Sequence, residues 1–115
     1  GSGHVICHNT ISHFHDGICV DTHGLPHKEQ DKKCVSIDIY RNDIFNMSDD
    51  FIEADGGEHN IRVFENRGFN SYHAGLSAQP VFGGPVYFLS SAASFYLIYF
   101  FLNNSFFFSC INSFL

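Results

Sequence analysis

The strongest constraint on this chain is a repeat. At an offset of 24 residues and with no gap, Ile37 falls on Ile61, Ile39 on Val63, Asn42 on Asn66, Asn46 on Asn70, Ile52 on Leu76 and Ala54 on Ala78. A period in the twenties means that each unit buries its apolar face against its neighbours and has no private core. Within a unit the apolar residues alternate, as Ile37/Ile39 and Ile52/Ala54 do, which is the period of a strand and not of a helix. Short strands stacked on copies of themselves predict an all-β fold, a parallel β-helix.

The preceding segment extends the pattern. Asn9 precedes Asn42 by 33 residues and Ile18 precedes Ile52 by 34. The surplus falls in residues 22–33, which are polar, contain Gly24 and Pro26, and show no apolar alternation. That stretch reads as an inserted surface loop. Asn9, Asn42 and Asn66 then stack at one corner of three successive coils. Asn tolerates the left-handed backbone that a tight corner needs, and its amide can bond the Asn above and below. The column reads as a structural device.

A chain of 115 residues holds one domain. The coils occupy residues 1–88, with a fourth beginning near Pro85, and the chain opens in mid-repeat, so it reads as part of a longer solenoid. A formal charge of −6 with no basic run excludes nucleic acid as a partner, because phosphate binding needs clustered Lys and Arg. Cys7, Cys19, Cys34 and Cys110 form no CxxC pattern and leave the redox compartment open.

From Gly68 onward there is no Lys, Arg, Asp or Glu. Residues 89–115 read as an apolar, low-complexity tail rich in Phe, Ser and Asn. Three readings stay open: a poorly specified apolar tail, the translation of A/T-rich noncoding or out-of-frame DNA, and a membrane segment. The last requires residues 86–102 to span a bilayer as a helix, for which they are at the short end, and no basic residue flanks them.

Chemistry is expected along one column of the coils. Alternation points Ile18/Val20, Ile52/Ala54 and Leu76/Ala78 inward and leaves Cys19/Asp21, Glu53/Asp55 and Ser77/Gln79 outward. Just before these strands stand His15-Asp16, Asp49-Asp50 and His73-Ala74. Neighbouring strands lie about 4.8 Å apart, so His15, Asp16, Asp49, Asp50, Glu53, Asp55 and His73 should share one patch. Crowded carboxylates perturb one another and can set an acid beside a base, as glycoside hydrolysis requires. Asp49, Asp50, Glu53 and Asp55 would also suit Ca²⁺. The plainer reading gives Asp16 and Asp50 the task of bonding their own backbone as Asx turns. A zinc site among His13, His15, His23 and His27 lacks a completing Cys or carboxylate at a recognised spacing.

The phrases Asp16-Gly-Ile-Cys-Val, Asp49-Asp50-Phe-Ile-Glu-Ala with Gly56-Gly57-Glu-His-Asn-Ile-Arg-Val, and His73-Ala-Gly-Leu-Ser resemble right-handed β-helix repeat proteins of the pectin-lyase-like superfamily. Their order is similar to that of polygalacturonases, in which an Asp-Gly phrase is followed by an Asp pair and then a His phrase. Phe14, His15, Tyr72 and Ala74 depart from that motif. The resemblance implies a right-handed solenoid, extracellular or at the cell surface, that binds and cleaves a polysaccharide as a hydrolase or lyase. It implies Asp16, Asp49, Asp50 and His73 as the catalytic set. His15, Glu53, Asp55 and Gln79 would then contact the sugar. The competing expectation is a non-catalytic β-helix that binds glycan or serves as a scaffold.

Overall fold

The computed structural model describes residues 2–20, 34–57, 59–78 and 81–89, and the backbone of 92–94 and 106–109. The loop expected at 22–33 and Gln79 lie outside the described residues. The described residues are all-β, with no helix long and apolar enough to cross a membrane.

Among the described residues, twelve strands run in order: β1 (Val5–Cys7), β2 (Thr10–Ser12), β3 (Ile18–Cys19), β4 (Val35–Tyr40), β5 (Asp43–Met47), β6 (Ile52–Glu53), β7 (His59–Phe64), β8 (Arg67–Ser71), β9 (Leu76–Ser77), β10 (Val86–Leu89), β11 (Ala92–Ser94) and β12 (Phe106–Ser109). They form three sheets, ordered β1-β4-β7-β10-β12, β11-β8-β5-β2 and β3-β6-β9. Every pairing is parallel. The chain therefore visits the three sheets in turn and begins again, an arrangement compatible with a parallel β-helix. We call each such passage a circuit.

The register follows the repeat. Ile37 pairs with Ile61 and Ile39 with Val63, Asp43 with Arg67, and Ile52 with Leu76. Val86 and Phe88 continue the first two columns beyond β7. The apolar residues of these columns are buried because alternate side chains of a strand share a face, while Asp43 and Arg67 face solvent. Ile39, Ile61 and Val63 are wholly inaccessible, and each such burial stabilises by about 1.5–3 kcal/mol. Gly68 interrupts its column, standing where the preceding circuit has Ile44. A Cβ there would run into the Phe51 ring, so Phe51 fills the space that an isoleucine would otherwise take. Beyond Phe88, where the side-chain repeat stops, backbone pairing goes on: β11 pairs with β8 and β12 with β10.

The asparagine column forms, with one difference from expectation. Asn42 Oδ1 accepts from the backbone N and the Nδ2 of Asn9, at 3.1 and 2.9 Å. Asn66 Oδ1 does the same for Asn42, at 3.1 and 3.0 Å. Each amide also donates inward, Asn42 to the carbonyl of Ile6 and Asn66 to that of Ile39. The left-handed residue at this corner is not the Asn but its predecessor: His8, Arg41 and Glu65 have φ of 58°, 53° and 55°. Turning the chain one residue early frees each Asn to keep an ordinary backbone and aim its amide into the stack. Asn46 and Asn70 do take positive φ, at the next corner, in register with His13. There Asn70 Nδ2 donates to Asn46 Oδ1 at 2.6 Å.

Opposite charges stack between the second and third circuits. Arg62 forks onto Asp38 with two 2.6 Å bonds, Arg67 onto Asp43 at 2.7 and 2.8 Å, and Arg41 reaches Glu65 at 2.7 Å. Tyr40 stacks on Phe64 and Phe45 on Phe69, with ring planes within 10° of parallel.

Two outcomes test this account. Asn42 is fully buried, so Asn42→Ala strands carbonyl and amide partners and should cost about 3 kcal/mol in urea unfolding, against under about 1 kcal/mol for exposed Asn9→Ala. Equal losses would mean that the column does not hold the corner. The Arg67 hydrogen bond keeps the Asp43 carboxyl below its ordinary value of 3.8. Such a group stabilises the fold above its unfolded value and loses that contribution as pH falls through its lower folded value. Asp43→Asn should therefore flatten the loss of melting temperature below pH 3.8. An acid limb identical to the parent's would show that the pair contributes nothing.

Candidate functional site

The corner leading into the third sheet is built from three equivalent segments, and register alone assembles its side chains. Gly17 donates its N–H to the Asp50 carbonyl and lies so close to Phe51 that a Cβ would strike that residue's backbone. This close approach draws the first circuit down onto the second. Ser71, buried, places its hydroxyl against the carbonyls of Asp49 and Ala74 and holds the third circuit at the same corner.

Two columns result. The outer one is His15, Asp49 and His73. Asp49 Oδ1 lies 3.0 Å from His73 Nδ1, and its Oδ2 lies 3.6 Å from His15 Nδ1. A single carboxylate from the middle circuit thus faces an imidazole above and another below. All three side chains are reached by water, His15 most of all at 72% exposure.

The inner column is Asp16, Asp50 and Ala74. Asp16 Oδ1 accepts the backbone N–H of Asp50 at 3.3 Å, and Asp50 Oδ1 accepts that of Ala74 at 3.0 Å. These aspartates bond the next circuit's backbone, where an Asx turn would have bonded their own. The columns are cross-linked: His15 Nδ1 lies 3.1 Å from Asp16 Oδ2, and His73 Nδ1 lies 3.3 Å from Asp50 Oδ1. Asp50 is 7% exposed. The Asp16 hydrogen bond and charge, helped by Asp49 and Glu53, raise the pKa of His15 above 6.5.

The structure therefore brings together His15, Asp16, Asp49, Asp50 and His73. Glu53 stands beside them, half-buried, accepting from Cys19 Sγ at 3.3 Å. Burial, reinforced by the charges of Asp55, Asp16 and Asp50, raises the Glu53 carboxyl above its ordinary 4.5. Asp55 accepts from Ser77 Oγ at 2.9 Å. Ser77, expected outward, is buried beneath that contact. Among the described residues, the donors close enough to share an ion are His15 with Asp16 and Asp49, and Asp49 with Asp50 and His73. Glu53 and Asp55 join neither group. His13 bonds Ser12 and approaches Asn46 at the preceding corner, and His23 and His27 lie outside the described residues.

Ser71 and Cys19 were not among the sequence-derived site residues. Ser71 had a signal, because it occupies the inward position held by Met47 one circuit earlier, and a lone hydroxyl in an apolar column needs carbonyls to bond.

The chemistry available is proton exchange at a water-exposed carboxylate flanked by imidazoles, with a second carboxyl nearby that holds its proton to higher pH. No family model, curated protein or solved structure matches the chain.

Glu53 gives the site a pH signature. A carboxyl whose folded pKa is raised lowers stability as pH climbs above its unfolded value, because the unfolded chain then loses the proton more readily. Glu53→Gln should gain melting temperature over the parent above pH 4.5, and the gain should vanish below it. A pH-independent difference would show that Glu53 ionises like an exposed side chain.

Proposed function

We propose that this chain is part of a right-handed parallel β-helix of the pectin-lyase-like kind, acting on a polysaccharide outside the cell or at its surface. The sugar chain lies along the flank that carries the His15–Asp49–His73 column. One observation carries the reading: residues as distant in sequence as His15 and His73 converge on the single exposed carboxylate of Asp49.

In this reading Asp49 is the base or nucleophile, oriented by His73. Glu53 is the acid that protonates the leaving oxygen, a task suited to a carboxyl with raised pKa. Asp16 and Asp50, committed to backbone N–H groups, position the column. His15, Asp55 and Gln79 contact the sugar.

A second reading, a β-helix that binds glycan without cleaving it or serves as a scaffold, draws on the same backbone bonds of Asp16 and Asp50, since a corner can be the whole of their task.

Asp49→Asn and Asp50→Asn separate the two. The chain is incubated with a panel of neutral and acidic polysaccharides while reducing ends and unsaturated products are measured. Asp49→Asn should lower cleavage by about 10²–10⁴-fold with an unchanged melting temperature, whereas Asp50→Asn should cost about 1–3 kcal/mol of stability. Retention of a glycan by the parent with no product would select the scaffold reading. Cleavage by Asp49→Asn at the parent's rate would remove Asp49 from the chemistry.

A further inference from the structure

We propose that the same corner binds divalent metal of the zinc class through two donor sets drawn from His15, Asp16, Asp49, Asp50 and His73. The donors form two sets that share Asp49. One is His15 Nδ1, Asp16 Oδ2 and Asp49 Oδ2, with His15 lying 3.1 and 3.6 Å from the two oxygens. The other is His73 Nδ1, Asp49 Oδ1 and Asp50 Oδ1, with His73 lying 3.0 and 3.3 Å from its oxygens. All atoms within each set lie inside 4.8 Å of one another.

These spacings lie within a few tenths of an ångström of what a metal requires. Zinc takes nitrogen and oxygen donors at about 2.0–2.2 Å in a tetrahedron, which puts the donors roughly 3.3–3.6 Å from each other. Each set supplies three such corners, one nitrogen and two oxygens, and the exposed outer column leaves water free to complete the coordination.

The donor chemistry selects the metal. Ca²⁺ and Mg²⁺ prefer all-oxygen shells, and Ca²⁺ wants six to eight of them. An imidazole in each set moves the preference to zinc and its transition-metal neighbours. The two histidines also distinguish this corner from a plain acidic cluster.

The site is preformed. Asp16 takes the Asp50 N–H on Oδ1 and keeps Oδ2 for the metal, whereas Asp50 offers the metal a second lone pair of the Oδ1 that takes the Ala74 N–H, so little side-chain freedom is lost on binding. The sheet register sets the His15–Asp49–His73 alignment in the same way. Metal occupancy would use the Asp49 oxygens, and would therefore silence acid–base chemistry at that residue.

The test contains no glycan, so its failure is separate from failure of the polysaccharide reading. The full chain is titrated with Zn²⁺ in competition with a chromogenic chelator, and in parallel with Ca²⁺. His15→Gln is the main variant, because its side chain is largely in water and the substitution leaves the fold intact. Asp49→Asn is the second, and His13→Gln, at the neighbouring corner, is the control. Zinc affinity should fall at least about tenfold in His15→Gln and in Asp49→Asn. It should stay unchanged in His13→Gln, and Ca²⁺ at equal concentration should not displace zinc. Equal zinc affinity in the parent, His15→Gln and Asp49→Asn would assign the ion to other histidines of the chain and overturn the inference. Displacement of zinc by Ca²⁺, or no zinc binding by the parent, would overturn it as well.

Discussion

The buried amide of Asn42 is the interaction on which the rest of the molecule depends. Parallel strands tolerate a slip in register poorly, because a shift of one residue sends every inward side chain to the opposite face. Here the apolar columns alone would resist a slip by one residue but less firmly a slip by two, since Ile37 and Ile39 are alike. The amide column removes that freedom. Asn42 is bonded to Asn9 on one side and Asn66 on the other, and no neighbouring position offers an equivalent buried donor and acceptor. Its desolvation makes any other register costly. With that corner fixed, Asp49 and His73, each seven residues past its Asn, and His15, six past Asn9, come together at the corner that follows.

The outer surface repeats the lesson with weaker forces. Exposed ion pairs contribute little singly, yet Asp38–Arg62, Arg41–Glu65 and Asp43–Arg67 all join residues 24 apart. Opposite charges directly across neighbouring strands favour one register, and like charges would oppose the alternatives. Their value is specificity more than stability.

The repeat was legible because the interior is made of residues that announce a period: Ile, Val and Ala alternating, with Asn at a constant place. The positive-φ residue before each Asn was hidden, because His8, Arg41 and Glu65 carry no compositional mark of a left-handed turn. Gly68 likewise reads as a broken repeat until Phe51 is seen lying over it. β11 and β12 were illegible for the opposite reason, since Ala92-Ala-Ser and Phe106-Phe-Phe-Ser have no alternation from which to read a strand. Of the site, the gathering of His15, Asp16, Asp49, Asp50 and His73 followed from register and could be read. The division of duties between Asp49 and Asp50 could not. The two are chemically identical neighbours, and only the pleat decides which faces water and which faces the backbone of Ala74.

That division has an electrostatic logic. Two ionised carboxylates stacked at a strand spacing of about 4.8 Å repel by roughly 3 kcal/mol at an effective dielectric constant near 20. The outer column avoids this by alternating imidazole, carboxylate and imidazole. Glu53 has the uncharged Cys19 and Ser77 above and below it in its own column, and feels Asp55, Asp16 and Asp50 only from the side. Asp16 and Asp50 do stack carboxylate on carboxylate, and both draw backbone N–H groups, each worth about 1.5–3 kcal/mol when bonded to a charge. Ala74, fully buried, then closes the column without adding a charge that no water could solvate. The repulsion is met within the inner column, which leaves the outer carboxylate to its two imidazoles.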